Sequence, residues 1–155
     1  MAYGTPRPQG SKRHIGNGRM VEASDVKPWR AAVARAAETA MEEANIPPFD
    51  EPVVVSVVFF MPRPKSVKRM WPDRAPDTDK LMRAIGDGLS VNTTRVLTDD
   101  SRIVKWGNPV KVYADTREPG VWVSIRKATI HDLAEALHNA SVTLPDDLRL
   151  FLGDD

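Results

Sequence analysis

Nine consecutive residues, Val53 to Met61 (VVVSVVFFM), are apolar except for Ser56. Their β-branched and aromatic side chains predict a strand buried largely on both faces, ended by Pro62 and Pro64. Upstream, Trp29, Val33, Ala37, Ala40 and Ala44 recur at helical spacing, with Arg30, Arg35, Glu38, Glu42 and Glu43 off the stripe. Ser24 or Asp25 is the candidate N-cap of this helix, Pro28 fits its first turn, and Pro47-Pro48 lies beyond its end. A second helix is expected over about Thr78 to Leu89, with Leu81, Ile85 and Leu89 facing inward. Arg102 to Trp106 and Val110 to Tyr113 read as one strand broken near Gly107-Asn108-Pro109. Val121 to Arg126 alternates, with Val121, Val123 and Ile125 on one face, and a hairpin through Thr116 to Gly120 is expected between these strands. Ile130 to Asn139 predicts a short helix with Leu133 and Leu137 inward.

The order strand, helix, strand, helix, two strands, helix implies an α/β (α+β) fold, a mixed β-sheet packed by helices. A chain of 155 residues suits one domain with a real core. The expected division is a domain over 1–128 followed by a short helix and acidic tail over 129–155. Trp29, Phe59, Phe60 and Trp122 read as core. The absence of cysteine excludes disulfides, zinc–thiolate sites and thiol nucleophiles. No run approaches the roughly 20 apolar residues of a membrane span, and the N-terminus lacks a signal pattern, so a cytoplasmic protein with no membrane partner is expected.

The net charge of +1 conceals an asymmetry, because six acidic residues and one basic residue follow Ala128. Met1 to Ala128 therefore carries 21 basic against 15 acidic residues, a net +6 that suits a polyanionic partner. Two segments concentrate it. Gly4 to Arg19 is rich in Gly and Pro and has four basic residues and no acidic one, which suggests a strand end and a flexible loop. Arg63 to Arg74 has five basic residues and one acidic, and reads as a mobile loop. Lys12, Arg13 and Arg19 in the first, and Lys65, Lys68 and Arg69 in the second, are candidate phosphate contacts; a solvated loop is the plainer reading. Met70 and Trp71 fit packing roles or a wedge into unstacked DNA.

The chemistry is concentrated in APDTDKLMRAIGDGL and the later DDSRIV. Asp77 and Asp79, two apart before a helix, can present both carboxylates to one point. Asp79, Arg83 and Asp87 share a helix face apart from the leucine stripe, and one of Asp99 and Asp100 can return to the same place. Carboxylates are what a magnesium ion takes from protein, usually one or two of them. Such an ion serves phosphodiester hydrolysis by activating water and stabilising the departing oxygen, and a nearby cation steadies the phosphate. The same residues also fit a helix cap, an ion-pair ladder and a turn.

These segments, together with GTPRPQGSKR, WRAAVARAA and FFMPRPKS in the same order, resemble the RusA family of Holliday junction resolvases over about Tyr3 to Lys127. The resemblance implies a homodimeric, structure-selective endodeoxyribonuclease acting on branched DNA, without a small-molecule cofactor. Magnesium, with manganese as a substitute, would be held by Asp77, Asp79 and Asp100, with Asp99 the near alternative. The family's catalytic lysine position is Arg83 here, which leaves an electrostatic role and closes a general-base role, because arginine stays protonated. Lys80 replaces the usual asparagine and adds a cation for DNA, and Asp87 matches a helical Asp of structural or outer-shell character. A bacterial or virus-infected bacterial setting is also implied. Rival readings are a less selective flap or branch nuclease, a non-catalytic junction-binding relative, and an adaptor acting through its acidic tail.

Overall fold

A computed structural model of the chain describes residues 1–10, 13–14, 20–21, 25–90, 96–143 and 145, with backbone alone for 13–14 and 20–21. The most apolar segment, strand β4 (Val53–Met61), takes the interior of a four-stranded sheet. The other strands are β1 (Ala2–Tyr3), β5 (Ile103–Tyr113) and β6 (Gly120–Lys127), in the order β1-β6-β4-β5. β4 runs parallel to β5 and antiparallel to β6, so the sheet is mixed. Three helices complete an α+β domain: α1 (Val26–Glu43), α2 (Thr78–Ser90) and α3 (Ile130–Asn139). A two-stranded ribbon pairs β2 (Arg13–His14), within the segment expected to be a strand end and a loop, with β3 (Met20–Val21) just beyond it. Among the described residues no helix is long and apolar enough to cross a membrane.

The expected hairpin between the last two strands does not form: β4 lies between β5 and β6. A hairpin would leave the most apolar strand at an edge with half its backbone groups unpaired, whereas insertion pairs both its edges. The expected break at Gly107-Asn108-Pro109 is also absent, and β5 runs unbroken through it. A register shift opposite Ser56 to Val58 and a left-handed Asn108 (φ 48°) absorb the irregularity. As an edge strand, β5 tolerates the missing N–H of Pro109.

One face of the sheet is sealed. Val53, Val55, Val57, Phe59 and Met61 are buried on it with Trp29 and Val33 of α1 and Leu81, Ile85 and Leu89 of α2, as the α2 stripe predicted. The α1 stripe is corrected toward its C-terminus: Ala40 and Ala44 are exposed and Met41 is buried instead, because the longer side chain reaches the core where alanine cannot. The opposite face is half covered, with Ser56, Val58 and Phe60 only partly buried. Trp122, opposite Val58 in the register, is 42% exposed and so is not the core residue expected, although Trp29 and Phe59 are. Phe60 is capped by the guanidinium of Arg117 at 5.1 Å.

α3 departs furthest from its apolar reading. None of its residues is fully buried, and Leu133 is exposed rather than inward. A capping box of Thr129 and Asp132 starts it. Asp132 takes two hydrogen bonds from Arg126 of β6 (2.7 and 2.6 Å), and Lys105 of β5 reaches Glu135 at 2.6 Å. The strands beneath α3 offer cations, so charge and not a leucine stripe seats it.

Candidate active site

Helix α2 positions the acidic motif, and its seating is apolar. Leu81, Ile85 and Leu89 are fully buried along one side. Gly88 lets α1 approach closely, since a Cβ there would stand 3.3 Å from the Arg30 carbonyl oxygen. Asp87 is used on this same side: it accepts from Arg30 Nη1 at 3.0 Å across the α1–α2 contact. This is the structural role among those open to it.

The opposite side of α2 faces β5 and a short 3₁₀ turn over Asp100–Arg102. Asp79, Met82, Arg83 and Gly86 of α2 line a hollow of about 250 Å³ with Asp100, Ile103 and Trp106. Two carboxylates and one guanidinium from separate chain segments therefore share one small cavity. The turn also separates the two later aspartates. Asp99 caps it, accepting from the Ser101 N–H at 2.8 Å, and its carboxyl is held below the usual range, chiefly by hydrogen bonding to the Ser101 side chain. Asp100 is the member that lines the hollow. Tethers fix the segment: Arg102 reaches Asp50 at 2.8 Å, and Thr98 donates to Asp50 at 2.7 Å.

Asp77 does not line this hollow. The helix begins at Thr78, and the Asp77 carbonyl accepts from the Leu81 N–H at 3.1 Å. The extended geometry that would aim residues two apart at one point is therefore lost between Asp77 and Asp79. The Asp77 side chain pairs with Lys80 Nζ at 2.7 Å. That hydrogen bond lowers the Asp77 pKa and raises that of Lys80. Among the described residues no group of three or more His, Asp or Glu side chains stands close enough together to cage an ion. Two carboxylates, those of Asp79 and Asp100, line the hollow, and one or two carboxylates are what magnesium typically takes from protein.

Asp77 lines a larger groove of about 810 Å³ beside the hollow, together with Arg69 and Lys80 of the sequence-predicted cations. Arg69 is engaged with Asp73 at 2.8 Å. Lys65 and Lys68 are exposed on the same loop and do not line the groove. The loop expected to be mobile is tied at its base: Arg63 donates to Asp115 (2.6 Å) and to the Arg69 carbonyl (2.9 Å), and stacks on Tyr113 at 4.1 Å. Met70 and Trp71 at its tip are 76% and 55% exposed, so packing does not account for them. Lys12 and Arg19 lie outside the described residues, as does the side chain of Arg13.

Four contributors escaped the sequence reading. Lys111 of β5 donates to the carbonyls of Arg74 (3.1 Å) and Pro76 (2.9 Å), bracing the chain just before Asp77, and its charge also lowers the Asp77 pKa. A lysine between Val110 and Val112 was the available signal. Trp106 walls the hollow, and Arg7 and Arg74 line the groove. The family model described as Endodeoxyribonuclease RusA matches residues 3–126. No curated protein matches the chain.

Proposed function

Because the chain belongs to the RusA endodeoxyribonuclease family, we propose that it resolves four-way DNA junctions by paired, magnesium-dependent hydrolysis of phosphodiester bonds. The observation that carries this reading is the hollow in which Asp79 and Arg83 of α2 meet Asp100 of the 3₁₀ turn. Asp79 and Asp100 would hold the cation, with Asp77 as a third ligand once its carboxylate leaves Lys80. When bound, magnesium supplies activation of water and stabilisation of the departing 3′ oxygen, and manganese can substitute.

The chain's own residues do the rest. Arg83 faces the scissile phosphate as a permanent cation with a planar fork, and stabilises charge on the phosphoryl oxygens without exchanging a proton. Lys80 neutralises Asp77 until a phosphate or cation competes for one of them. Lys111 fixes the backbone from which Asp77 projects. Lys65, Lys68, Arg69 and Lys80, with Lys12 and Arg13 of the first basic segment, carry the DNA backbone past the acidic centre, which would otherwise repel it. Met70 and Trp71 are placed on an exposed loop where apolar groups can enter opened base steps.

Resolution needs two nicks in strands of like polarity, and each chain offers one site. A two-fold homodimer meets the symmetry of the substrate. The test is cleavage of a synthetic four-way junction in magnesium and in chelator, beside flap, fork and linear controls. Wild-type protein cuts the junction with paired, ligatable nicks. Asp100→Asn loses more than the ~10–100-fold that a supporting residue costs and still binds the junction, whereas Asp99→Asn keeps most activity. Equal activity of Asp100→Asn and wild type overturns the assignment.

A further inference from the structure

The groove beside Asp77 has two kinds of wall. Arg7, Arg69, Arg74 and Lys80 contribute four cations against the single carboxylate of Asp77. Between them the lining is apolar: Met61, Val67, Tyr113 and several prolines. Three of the cations have carboxylate neighbours, with Lys80 at 2.7 Å from Asp77, Arg69 at 2.8 Å from Asp73 and Arg7 at 3.8 Å from Asp25. The Arg74 side chain has no ion-pair partner among the described residues. It stands three positions before Asp77, where the chain is braced by Lys111.

Such a lining discriminates between DNA forms. A duplex stacks its bases inward and offers a protein surface mostly sugar and phosphate, so an apolar wall gains nothing from it. An unpaired strand offers phosphates to cations and base faces to apolar surfaces at once, which is the combination that single-strand sites use. The groove's ~810 Å³ also falls in the range of pockets that enclose small molecules, which is room for a few splayed nucleotides.

We infer that this groove holds an unpaired DNA strand adjoining the phosphate to be cut, with phosphates on Arg74, Arg7 and Arg69 and bases against Val67 and the proline wall. The inference rests on the acidic hollow being the place of cleavage, and adds what selects a branch point over plain duplex: only where strands part can nucleotides leave the stack and enter the groove.

The experiment measures binding, not turnover. Full-length protein in chelator is titrated against a labelled oligothymidylate of about eight nucleotides, a blunt duplex of the same length and a four-way junction, at one salt concentration. Wild-type protein binds the oligothymidylate. The double variant Arg74→Gln/Val67→Glu weakens that binding at least about tenfold and changes duplex binding less than about twofold. Should its thermal melt show a folding defect, Arg74→Gln alone, at an exposed position, is read instead and is expected to lose about threefold on the oligothymidylate only. Equal losses on single strand and duplex overturn the inference, as does a wild-type protein that ignores the oligothymidylate. Junction cleavage in magnesium is scored separately. A chain that fails to cut yet shows this selectivity keeps the groove and loses the nuclease reading; a chain that cuts without it does the reverse.

Discussion

Helices α2 and α3 carry the same written signature, apolar residues four apart, yet different forces hold them to the sheet. In α2, Leu81, Ile85 and Leu89 are fully buried. In α3, no residue is fully buried, and Asp132 and Glu135 lie against Arg126 and Lys105. Apolar burial is non-directional and is not weakened by ionic screening, so α2 is fixed wherever the core is intact. Ion pairs at a surface are weak and screened. The proposed chemistry sits on the first helix. A carboxylate and a guanidinium must be held within a fraction of an ångström of their partners to work, and rigid elements do that best.

The sharpest way to break the contrast is to empty part of the α2 seat. Ile85→Ala removes a fully buried side chain one turn before Leu89 and should cost about 2–5 kcal/mol of stability. Chemical denaturation of the variant reads it. The corresponding change in α3, Leu133→Ala, removes a side chain that is 41% exposed and should fall within about 0.5 kcal/mol of wild type. Equal costs at the two positions would sink the distinction.

A smaller effect separates the two sides of α2 itself. Asp87 and Arg30 are only 26% and 17% exposed and hold α2 against α1. Asp87→Ala leaves Arg30 without this partner and should destabilise by about 1–3 kcal/mol. Residual cleavage per folded molecule should stay near wild type, because Asp87 does not line the hollow. Activity measured at low temperature, where the variant is fully folded, checks this. A loss like that of Asp100→Asn would move Asp87 into the chemistry.

Periodicity was a good guide where burial is on one side and complete. The α2 stripe and the central strand could be read because every side chain on those faces is apolar. It misled where partners come from elsewhere in the chain. Nothing in Ile103 to Lys127 says that β4 will slide between its two strands; that follows from the need to pair both edges of an apolar strand. The site divides in the same way. Residue types and spacing singled out Asp79 and Arg83 with one of Asp99 and Asp100, and the family resemblance favoured Asp100. The 3₁₀ turn distinguishes them, since Asp99 spends its carboxylate on the Ser101 N–H. Pairing Asp77 with Asp79 requires both to be extended, whereas the helix starts between them and Asp77 lines the groove while Asp79 lines the hollow. Lys111 went unread because its partners are backbone carbonyls, which no residue pattern records.

The mildest test concerns how α3 is attached. Arg126 and the capping Thr129 hold the Asp132 carboxyl far below the usual range, Arg126 being the larger cause. A carboxylate whose folded pKa is depressed contributes its full stabilisation above the unfolded value of roughly 4, and loses it progressively as pH falls from there toward the folded value. At neutral pH the attachment is therefore complete, and a difference between wild type and Asp132→Asn should be visible as faster amide exchange confined to Ile130–Asn139. As pH falls from about 4 toward the folded value the gap between the two proteins should shrink steadily, because the detached form takes up a proton that the attached carboxyl does not. Raising salt at pH 7 should narrow the same gap, since Arg126 is 54% exposed and its pairing is open to screening. The α2 amides should exchange alike in the two proteins at every pH and salt concentration in this range. If α3 and α2 loosen together in acid, the sheet's two sides share one cooperative unit and the ionic seat is not a separate attachment.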